Sequence, residues 1–474
     1  MGFRAVLLSF SSFLFVAFGH PILGAAFGYA LFWSVERRFW PAVGWFAAVQ
    51  AVQLYWMTST EYMGPFILVV YAFLCIAMGL QFGLLTSLIR LPLDWRQILG
   101  LSGFWVLMEW SRLYFLTGFT WNPIGLALAG GDSIQFASLF GIYGLCFWVI
   151  FTNLLALAKK PIWAVVALVP YLFSLGTETK IHKKISVALV QTNLRPEQRD
   201  LMRGYEEDYI HPLDQWKRLV SFLQETGQSK FDLIVFPECA LPSYRSNAEW
   251  MQNIADHFGA EVIVGLDAKD GAKKFNAAFH FTPGGKKMDR YEKRILIPVG
   301  EYIPFSGVFG EFFANQFGIV GSFDAGLSAK VFQGDLPLGI CICLEETYSH
   351  LVREIRQSGA ELLISISNDV WFPNTRLPEH HFAHGRIRAA ENGVCLLRAC
   401  NTGVTAAVDC FGRTIQIFAG NAGVLTLDIP VRSRSTPYTF WGDWPILAIS
   451  AGSFFFMGLF RFRKKKLPEY SSLD

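Results

Sequence analysis

Charged residues are scarce in this sequence, and the shortage is concentrated in the first third of the chain. Asp, Glu, Lys and Arg make up 17% of the 474 residues, whereas an ordinary soluble chain has about 25%. Residues 1–160 contain only eight Lys or Arg and five Asp or Glu. This contrast predicts a membrane-embedded region followed by a globular one. The globular part also lacks a basic block, so we expect no nucleic-acid partner.

Long uncharged apolar runs predict a bundle of membrane-spanning helices. One span needs about 20 apolar residues, and the run at 5–35 is too long for a single helix. Gly19-His20-Pro21 in the middle of this run predicts a tight turn, because proline resists helix continuation. The sequence therefore predicts eight spans, at residues 4–19, 21–36, 39–58, 63–88, 97–117, 134–158, 161–177 and 442–461.

The positions of Lys and Arg predict the orientation of these spans. Short loops that carry positive charge stay in the cytoplasm, and alternate loops obey this rule when the N-terminus is placed inside. Both termini are then cytoplasmic. The predicted order is a seven-span bundle (1–178), an extracytoplasmic domain (179–434), an eighth span (435–462) and a cytoplasmic tail (463–474). A cleaved signal peptide over residues 1–25 is the alternative for the N-terminus.

The region between the seventh and eighth spans has the pattern of an α/β domain. Short β-branched apolar runs bounded by turn residues predict strands that are buried on both faces. Stretches with helical spacing separate them, and this alternation is typical of layered α/β folds. The predicted strands include 185–191, 233–236, 261–266 and 362–366, and the predicted helices include 213–228 and 246–258.

Three segments of this domain carry residues suited to acyl chemistry. Glu238 follows a predicted strand, Lys293 lies in the segment 291–304, and Cys343 lies in the segment 339–346. Strand ends are where sites form in α/β domains. A cysteine thiolate attacks carbonyl carbon, a partly buried carboxylate takes its proton, and an ammonium stabilises the developing oxyanion. We therefore expect Cys343 to be the nucleophile, Glu238 the base and Lys293 the oxyanion-stabilising cation.

Two further glutamates in the same segments are predicted to support these groups. Glu301 is expected to hold the ammonium of Lys293, with a purely structural ion pair as the alternative. Glu345 lies two residues after Cys343. The three principal residues also have ordinary interpretations: a cysteine that fills core, a carboxylate that caps a helix and a surface lysine. Their order along the chain favours catalysis.

The ordered Glu, Lys and Cys elements resemble the nitrilase superfamily. Joined to the membrane layout, the chain resembles the apolipoprotein N-acyltransferase family of the bacterial inner membrane over essentially its whole length. Two features depart from that family's pattern. Leu344 stands where the family commonly has Tyr, and residues 193–198 lack the Trp that the family often has after its first strand. Further matching segments are SNDVWF at 367–372, RIRAAENG at 386–393, RACNTG at 398–403, EWSR at 109–112 and TGFTW at 117–121.

The resemblance implies a fold, an activity and partners. The fold would be a transmembrane helical bundle with an extracytoplasmic, nitrilase-like αββα sandwich. Cys343 would take an acyl chain from a phospholipid as a thioester. The amine of a diacylglyceryl-cysteine at an apolipoprotein N-terminus would then accept that chain. The resemblance implies no metal and no cofactor, and it places the site at the outer leaflet, where membrane lipids, bundle and periplasmic domain meet.

Five residues outside the triad are predicted to contact lipid or substrate. Glu109 and Arg112 are three positions apart and share one helical face. Ionisable groups inside a membrane are functional candidates because lipid penalises them, and a mutually satisfied pair is the alternative. Trp121 belongs to a segment that resembles the family. Phe312 and Phe313 lie in a Phe-rich stretch that is predicted to form a mobile apolar lid.

The remaining alternatives are a metal site at three histidines and two other functional classes. His380, His381 and His384 invite a metal interpretation, because positions four apart share a helical face. No HExxH motif is present, so we predict a helix packed near the site and no metal. A membrane-anchored nitrilase-type amidase would use the same triad but has no need of seven spans. A transporter or lipid-binding protein would depend on intramembrane charges such as Glu109 and Arg112.

Overall fold

The chain has a helical part and a two-sheet part. Residues 3–173 and 437–465 are largely helical, and residues 180–433 form two β-sheets with flanking helices. The predicted turn at Gly19-His20-Pro21 and the lid residues Phe312 and Phe313 lie outside the described residues. The computed structural model describes residues 3–18, 23–173, 179–200, 204–241, 247–285, 288–307, 310 and 323–465.

The helices follow the apolar and amphipathic segments of the sequence. All eight segments that were predicted to span a membrane contain a helix, and the helices predicted at 213–228 and 246–258 are confirmed. In chain order the α-helices are α1 (Phe3–Ala17), α2 (Tyr29–Val35), α3 (Phe39–Gln53), α4 (Phe66–Ser87), α5 (Trp95–Ser111), α6 (Ala137–Leu157), α7 (Trp163–Leu172), α8 (Pro196–Arg199), α9 (Pro212–Glu225), α10 (Asn247–Phe258), α11 (Ser349–Gln357), α12 (Leu377–Asn392), α13 (Pro437–Trp441) and α14 (Trp444–Lys465).

The lengths of these helices differ from the predicted spans. In the described part of the chain, two helical stretches are long and apolar enough to cross a membrane: Phe66–Ser87 with 22 residues and Gly131–Leu157 with 27. Helices α1 and α2 are shorter because the single run at 5–35 supplies both of them. The shorter apolar helices are Phe3–Ala17, Gly24–Val35, Trp163–Leu172 and Trp444–Leu459.

Twelve strands in the described residues form two six-stranded sheets. The first sheet has the order β12-β1-β2-β3-β4-β5, and the second has the order β11-β10-β9-β8-β7-β6. The predicted strands at 185–191, 233–236, 261–266 and 362–366 fall in β1, β2, β3 and β8. The bounds are β1 (Lys180–Gln191), β2 (Leu233–Val235), β3 (Glu261–Asp270), β4 (Lys273–Phe281), β5 (Met288–Glu292), β6 (Val331–Gln333), β7 (Pro337–Ile342), β8 (Leu362–Ser367), β9 (Cys395–Cys400), β10 (Ala406–Val408), β11 (Thr414–Ile417) and β12 (Gly423–Ser433).

The two sheets pack face to face between two helical layers. Val187 of β1 and Ile364 of β8 are buried in the same core, which lies between the sheets. Helices α9 and α10 cover the outer face of the first sheet, with Leu219 and Met251 in that core. Helices α11 and α12 cover the outer face of the second sheet. This arrangement confirms the predicted αββα sandwich, and it gives the strands two buried faces, as their continuous apolar runs require.

Helix α12 joins the sandwich to the helical bundle. Ala389 packs toward the second sheet, whereas Ile387 and Ala390 are buried in the core of the bundle. Glu391 Oε1 accepts a hydrogen bond of 2.7 Å from the backbone N–H of Ile142 in α6. The helix therefore has two buried faces. Near its start, His381 lies between the bundle and the strand ends of the second sheet.

The chain leaves the sandwich by returning to the same bundle. The Nε of Arg353 in α11 donates to the carbonyls of Tyr438 and Thr439, at 3.1 and 3.0 Å. Helix α14 then packs against α5, where a Cβ at Gly103 would lie 2.5 Å from the carbonyl oxygen of Ser450. Glycine is required at position 103 because the two helix backbones approach so closely. The outgoing end of the sandwich is thus attached to the bundle by α11 and by α14.

Candidate active site

Cys343 occupies the sharp turn that follows β7. The strand lies between β6 and β8 in the second sheet, and Cys343 begins a 3-10 helix that runs to Thr347. The φ angle of Cys343 is +53°, a left-handed conformation that residues with a Cβ seldom adopt. Its side chain belongs to the core between the sheets and is 8% exposed. Backbone strain of this kind is concentrated at functional sites.

Glu238 lies on the loop that follows β2 in the first sheet. A Cβ at Gly265 of β3 would be 2.5 Å from the Cα of Glu238 and 2.7 Å from the carbonyl oxygen of Pro237. Gly265 also donates its N–H to Pro237 and accepts the N–H of Ala240, both at 3.1 Å. Only glycine allows the loop to lie this close to the neighbouring strand. The loop therefore has a fixed path, and Glu238 is held buried at its start.

Lys293 follows β5 and is shared by two carboxylates. Its Nζ donates to Glu301 Oε1 at 2.8 Å and to Glu238 Oε1 at 3.2 Å. The Nδ2 of Asn276 in β4 donates to the same two oxygens, at 2.9 and 2.6 Å. The backbone N–H of Lys293 donates to the carbonyl of Asn276 at 2.8 Å. One ammonium and one amide therefore hold two carboxylates together in a site that is almost closed to solvent.

Electrostatic interactions connect this cluster with Cys343. Burial lowers the pKa of Lys293, but Glu238 and Glu301 outweigh burial and raise that pKa well above its ordinary value. Burial raises the pKa of the Cys343 thiol, Glu238 raises it further, and Lys293 opposes both effects only in part. The resting cysteine is therefore a neutral thiol beside a charged ammonium, and it needs a base to become a nucleophile. We call Glu238, Lys293, Glu301 and Cys343 the site cluster.

Glu345 fixes the lysine segment to the cysteine turn. Its Oε1 accepts the N–H of Arg294 at 2.6 Å and the hydroxyl of Tyr291 at 2.9 Å. Its Oε2 accepts the N–H of Ile342 at 2.8 Å. Burial raises the pKa of Glu345, and these donors oppose the effect. One fully buried side chain therefore holds the residues around Lys293 and the residue before Cys343 at a set distance.

Glu109 and Arg112 lie in the bundle, near the end of α5. Both are buried, and Arg112 Nη1 is 3.8 Å from Glu109 Oε1. Arg112 Nε donates to Gln81 Oε1 at 2.7 Å, and Glu109 Oε1 accepts the N–H of Ile124 at 3.0 Å. Glu109 Oε2 and Arg112 Nη2 have no hydrogen-bond partner among the residues that the structure describes. This bundle pair, as we call it, connects α5 with α4 and with the segment before α6.

Trp121 packs between the bundle and helix α12. Its ring centroid is 5.2 Å from that of Trp56 and 5.2 Å from that of His381. The rings of His380 and His384 lie at 5.8 and 5.7 Å from it. The helix that carries the three histidines therefore packs near Cys343, as predicted. The structure places Trp121 in an aromatic contact that joins the two parts of the molecule.

Sequence analysis missed three residues that hold the site. Asn276 is an amide within an otherwise largely apolar stretch of β4, and that isolated polar position was a readable signal. Asp369 lies in the SNDVWF segment, but its contact with His381 was not predictable from the sequence. Its Oδ1 is 2.9 Å from His381 Nδ1, and His381 Nε2 is 3.1 Å from the carbonyl oxygen of Cys343. Tyr291 contacts Glu345 through a fold-dependent hydrogen bond that no spacing reveals.

Two family models match the chain. The model described as "Carbon-nitrogen hydrolase" matches residues 186–438, which include Glu238, Lys293 and Cys343. The model described as "Apolipoprotein N-acyltransferase N-terminal domain" matches residues 5–155. Together the two matches cover the sandwich and most of the helical bundle.

Named proteins are similar to the chain over most of its length. The apolipoprotein N-acyltransferase of Chlamydia caviae is 30% identical, with 94% of this chain and 95% of that protein covered. The one from Chlamydia trachomatis is 31% identical, with 93% and 92% covered. A solved structure of a CN-hydrolase superfamily protein from Xanthomonas campestris is 16% identical, has a TM-score of 0.40, and covers 56% of this chain and 97% of that one. These two relatives match the chain over almost its whole length at 30 and 31% identity, so the chain belongs to the apolipoprotein N-acyltransferase family.

Proposed function

We propose that this chain moves an acyl chain from a membrane phospholipid to the N-terminal amine of a diacylated apolipoprotein, through a thioester on Cys343. The observation that carries the proposal is the site cluster, in which a thiol, a charged ammonium and two carboxylates meet at strand ends beside an apolar helical bundle. An amidase acting on small amides needs no such bundle, and the named relatives do not favour that alternative.

Glu238 acts as the base when the thioester forms. Lys293 and Asn276 both donate to its Oε1, whereas no described residue donates a hydrogen bond to its Oε2. That oxygen takes the thiol proton as the sulfur of Cys343 attacks the ester carbonyl carbon and the C–S bond forms. The carbonyl electron pair moves to oxygen beside the ammonium of Lys293. When the oxyanion collapses, the ester C–O bond breaks and the lysophospholipid oxygen leaves with the proton held by Glu238.

The same groups serve the second half-reaction in reverse order. The neutral amine of the diacylglyceryl-cysteine attacks the thioester carbonyl, and the C–N bond forms. Lys293 again stabilises the oxyanion, and Glu238 takes a proton from the attacking nitrogen. The C–S bond then breaks, the proton returns to the sulfur of Cys343, and the product is an amide. Glu301 keeps Lys293 charged and in position throughout, and Glu345 keeps the two catalytic segments together.

The location of the site follows from the lipid nature of both substrates. We assign residues 1–178 to a bundle of seven spans, 179–434 to the periplasmic catalytic domain, 435–462 to an eighth span and 463–474 to a cytoplasmic tail. The family indicates a bacterial inner-membrane protein. In this arrangement both termini are cytoplasmic and Cys343 faces the outer leaflet, where phospholipid esters and lipoprotein N-termini are both present.

The residues between bundle and sandwich guide the lipid to Cys343. Glu109 and Arg112 hold the polar end of the bundle in shape on the path of the donor. Trp121 forms the adjoining wall against helix α12. The apolar lid expected at Phe312 and Phe313 lies outside the described residues and stays a prediction.

Detection of the thioester tests the proposed reaction directly. The purified full-length protein is incubated in detergent with phospholipid that carries a labelled acyl chain, and the Cys343 peptide is analysed by mass spectrometry. We expect a hydroxylamine-labile acyl adduct on Cys343, and its transfer to a synthetic diacylated lipopeptide. Cys343→Ala should abolish both.

Cys341 provides a matched control, because it is also buried and lies in β7, two residues before Cys343. Cys341→Ala should retain the adduct and its transfer. A wild-type protein that hydrolyses soluble amides but forms no adduct with phospholipid would overturn the proposed function.

A further inference from the structure

His381 makes two hydrogen bonds behind the nucleophile. It lies in the first turns of α12 and is 1% exposed. Its Nδ1 is 2.9 Å from Asp369 Oδ1, and its Nε2 is 3.1 Å from the carbonyl oxygen of Cys343. Asp369 lies two residues after the end of β8, and β8 pairs in parallel with β7, the strand that leads to Cys343. Two adjacent strand ends therefore meet at one imidazole.

The partners of His381 are all hydrogen-bond acceptors. A carbonyl oxygen only accepts hydrogen bonds, and the carboxylate of Asp369 is an acceptor as well. Burial raises the pKa of Asp369, but the charges of His381 and Arg398 outweigh it and lower that pKa. Both imidazole nitrogens therefore lie against hydrogen-bond acceptors. Glu346 Oε2, at 3.5 Å from Nε2, adds a further negative charge on the same side.

The hydrogen bond from Nε2 acts on a backbone that is not in a relaxed conformation. Cys343 has a φ of +53°, so its turn needs contacts that hold it. The peptide that links Cys343 to Leu344 is trans and planar. Its N–H therefore points away from the carbonyl, and away from His381. A donor that fixes the carbonyl therefore fixes the peptide plane, and with it the N–H of Leu344 on the opposite side.

We propose that His381, oriented by Asp369, is a positioning residue for acylation: it holds the Cys343 peptide so that the thiol meets the ester carbonyl and the Leu344 N–H faces the developing oxyanion. Trp121 packs edge-on against the imidazole at 5.2 Å, which links the bundle to the nucleophile through one ring. This inference rests on the proposed thioester reaction.

Three variants separate positioning from packing. His381→Phe keeps an aromatic ring against Trp121 and removes both donors. His381→Gln keeps one N–H donor within reach of the Cys343 carbonyl. His384→Phe is the matched control, because His384 contacts the same Trp121 at 5.7 Å and, among the described residues, neither of its nitrogens has a hydrogen-bond partner.

Single-turnover acylation of the full-length protein by labelled phospholipid is the measurement. We expect His381→Phe to lower the acylation rate constant about 10²-fold, the usual cost of a misplaced reactive group, with KM for phospholipid within about threefold of wild type. His381→Gln should recover about tenfold of that loss, and His384→Phe should stay within about threefold of wild type. Asp369→Asn, which keeps an acceptor for Nδ1 but removes the charge, should lose about tenfold and serves if His381→Phe does not fold.

Alkylation of Cys343 by iodoacetamide separates this inference from the proposed function. If wild type forms no thioester, the proposed function fails, but alkylation still reports on the thiol. We expect alkylation of Cys343 to be about threefold slower or more in His381→Phe, because a turn that is no longer held brings the thiol less often within reach of the Glu238 base. The positioning role would be overturned if His381→Phe kept the alkylation and acylation rates of wild type. It would also be overturned if His381→Phe and His384→Phe lowered these rates equally.

Discussion

The site cluster and the bundle pair are both buried and charged, but they differ in charge balance. In the site cluster one lysine serves two carboxylates at 2.8 and 3.2 Å, beside a thiol on a strained turn. The bundle pair has one carboxylate and one guanidinium on a single helical face, 3.8 Å apart. The site cluster therefore carries surplus negative charge, whereas the bundle pair is neutral.

This difference indicates that the site cluster serves the reaction and that the bundle pair serves the stability of the bundle. A buried carboxylate without a cation of its own is a proton acceptor, and it raises the pKa of a neighbouring thiol. A balanced pair whose members also bind Gln81 and Ile124 holds helices together. The three predictions that follow test in turn the surplus charge, the balanced pair and the hydrogen-bonded support of the site.

Neutralising the base should have the largest effect. We expect Glu238→Gln to reduce acyl transfer roughly 10²- to 10⁴-fold, because the variant has no group to accept the thiol proton. The same change removes the negative charge that raises the thiol pKa, so alkylation of Cys343 should shift to lower pH. The measurements are transfer rates and the pH profile of iodoacetamide labelling. Glu354→Gln, which alters a surface pair with Arg294, should change neither quantity; an unmoved thiol profile in Glu238→Gln would contradict the assignment.

Breaking the bundle pair should act on stability. Arg112→Met leaves Glu109 buried without its cation, and removal of one member of a buried pair costs roughly 3–5 kcal/mol of unfolding free energy. We expect a lower unfolding temperature in detergent, with the pH profile of Cys343 alkylation unchanged. The double variant Glu109→Gln/Arg112→Met should recover much of the lost stability. A loss of transfer at full stability would instead show that the pair acts on the substrate.

Removing one hydroxyl from the support of the site should have the smallest effect. Tyr291→Phe deletes one donor to Glu345, which keeps the backbone N–H groups of Arg294 and Ile342. We expect a loss of roughly 1–3 kcal/mol in unfolding free energy and transfer within about tenfold of wild type. Chemical denaturation and transfer assays measure the two. A loss of transfer as large as that of Glu238→Gln would place Tyr291 in the chemistry itself.

Residues that follow a strand end were the most predictable part of the site. Glu238 and Cys343 come directly after buried apolar strands, so the run and its end were both visible in the sequence. Asn276 was not predicted, because its function depends on pairing between β3, β4 and β5 that brings it beside Lys293. The contact of His381 with Cys343 depends on how α12 packs, and periodicity gives the face of a helix but not its neighbour.

The helical part was predictable in position and less so in length. Every predicted apolar segment contains a helix, because lipid-compatible composition is a strong signal. Two stretches in the described part reach the length and composition of a full span. Turns that end the others, such as the 3-10 segment Arg112–Tyr114 after α5, arise from side-chain contacts that hydropathy does not register.

The attachment of the sandwich to the bundle through its outgoing chain has a mechanical consequence. Arg353 donates hydrogen bonds to the outgoing chain before α14, and α14 packs against α5 at Gly103. Helix α12 forms a second attachment, because Glu391 Oε1 accepts the N–H of Ile142 in the bundle. Each attachment opposes rotation of the sandwich about the other, so we expect Cys343 to stay in place while the substrates move to it.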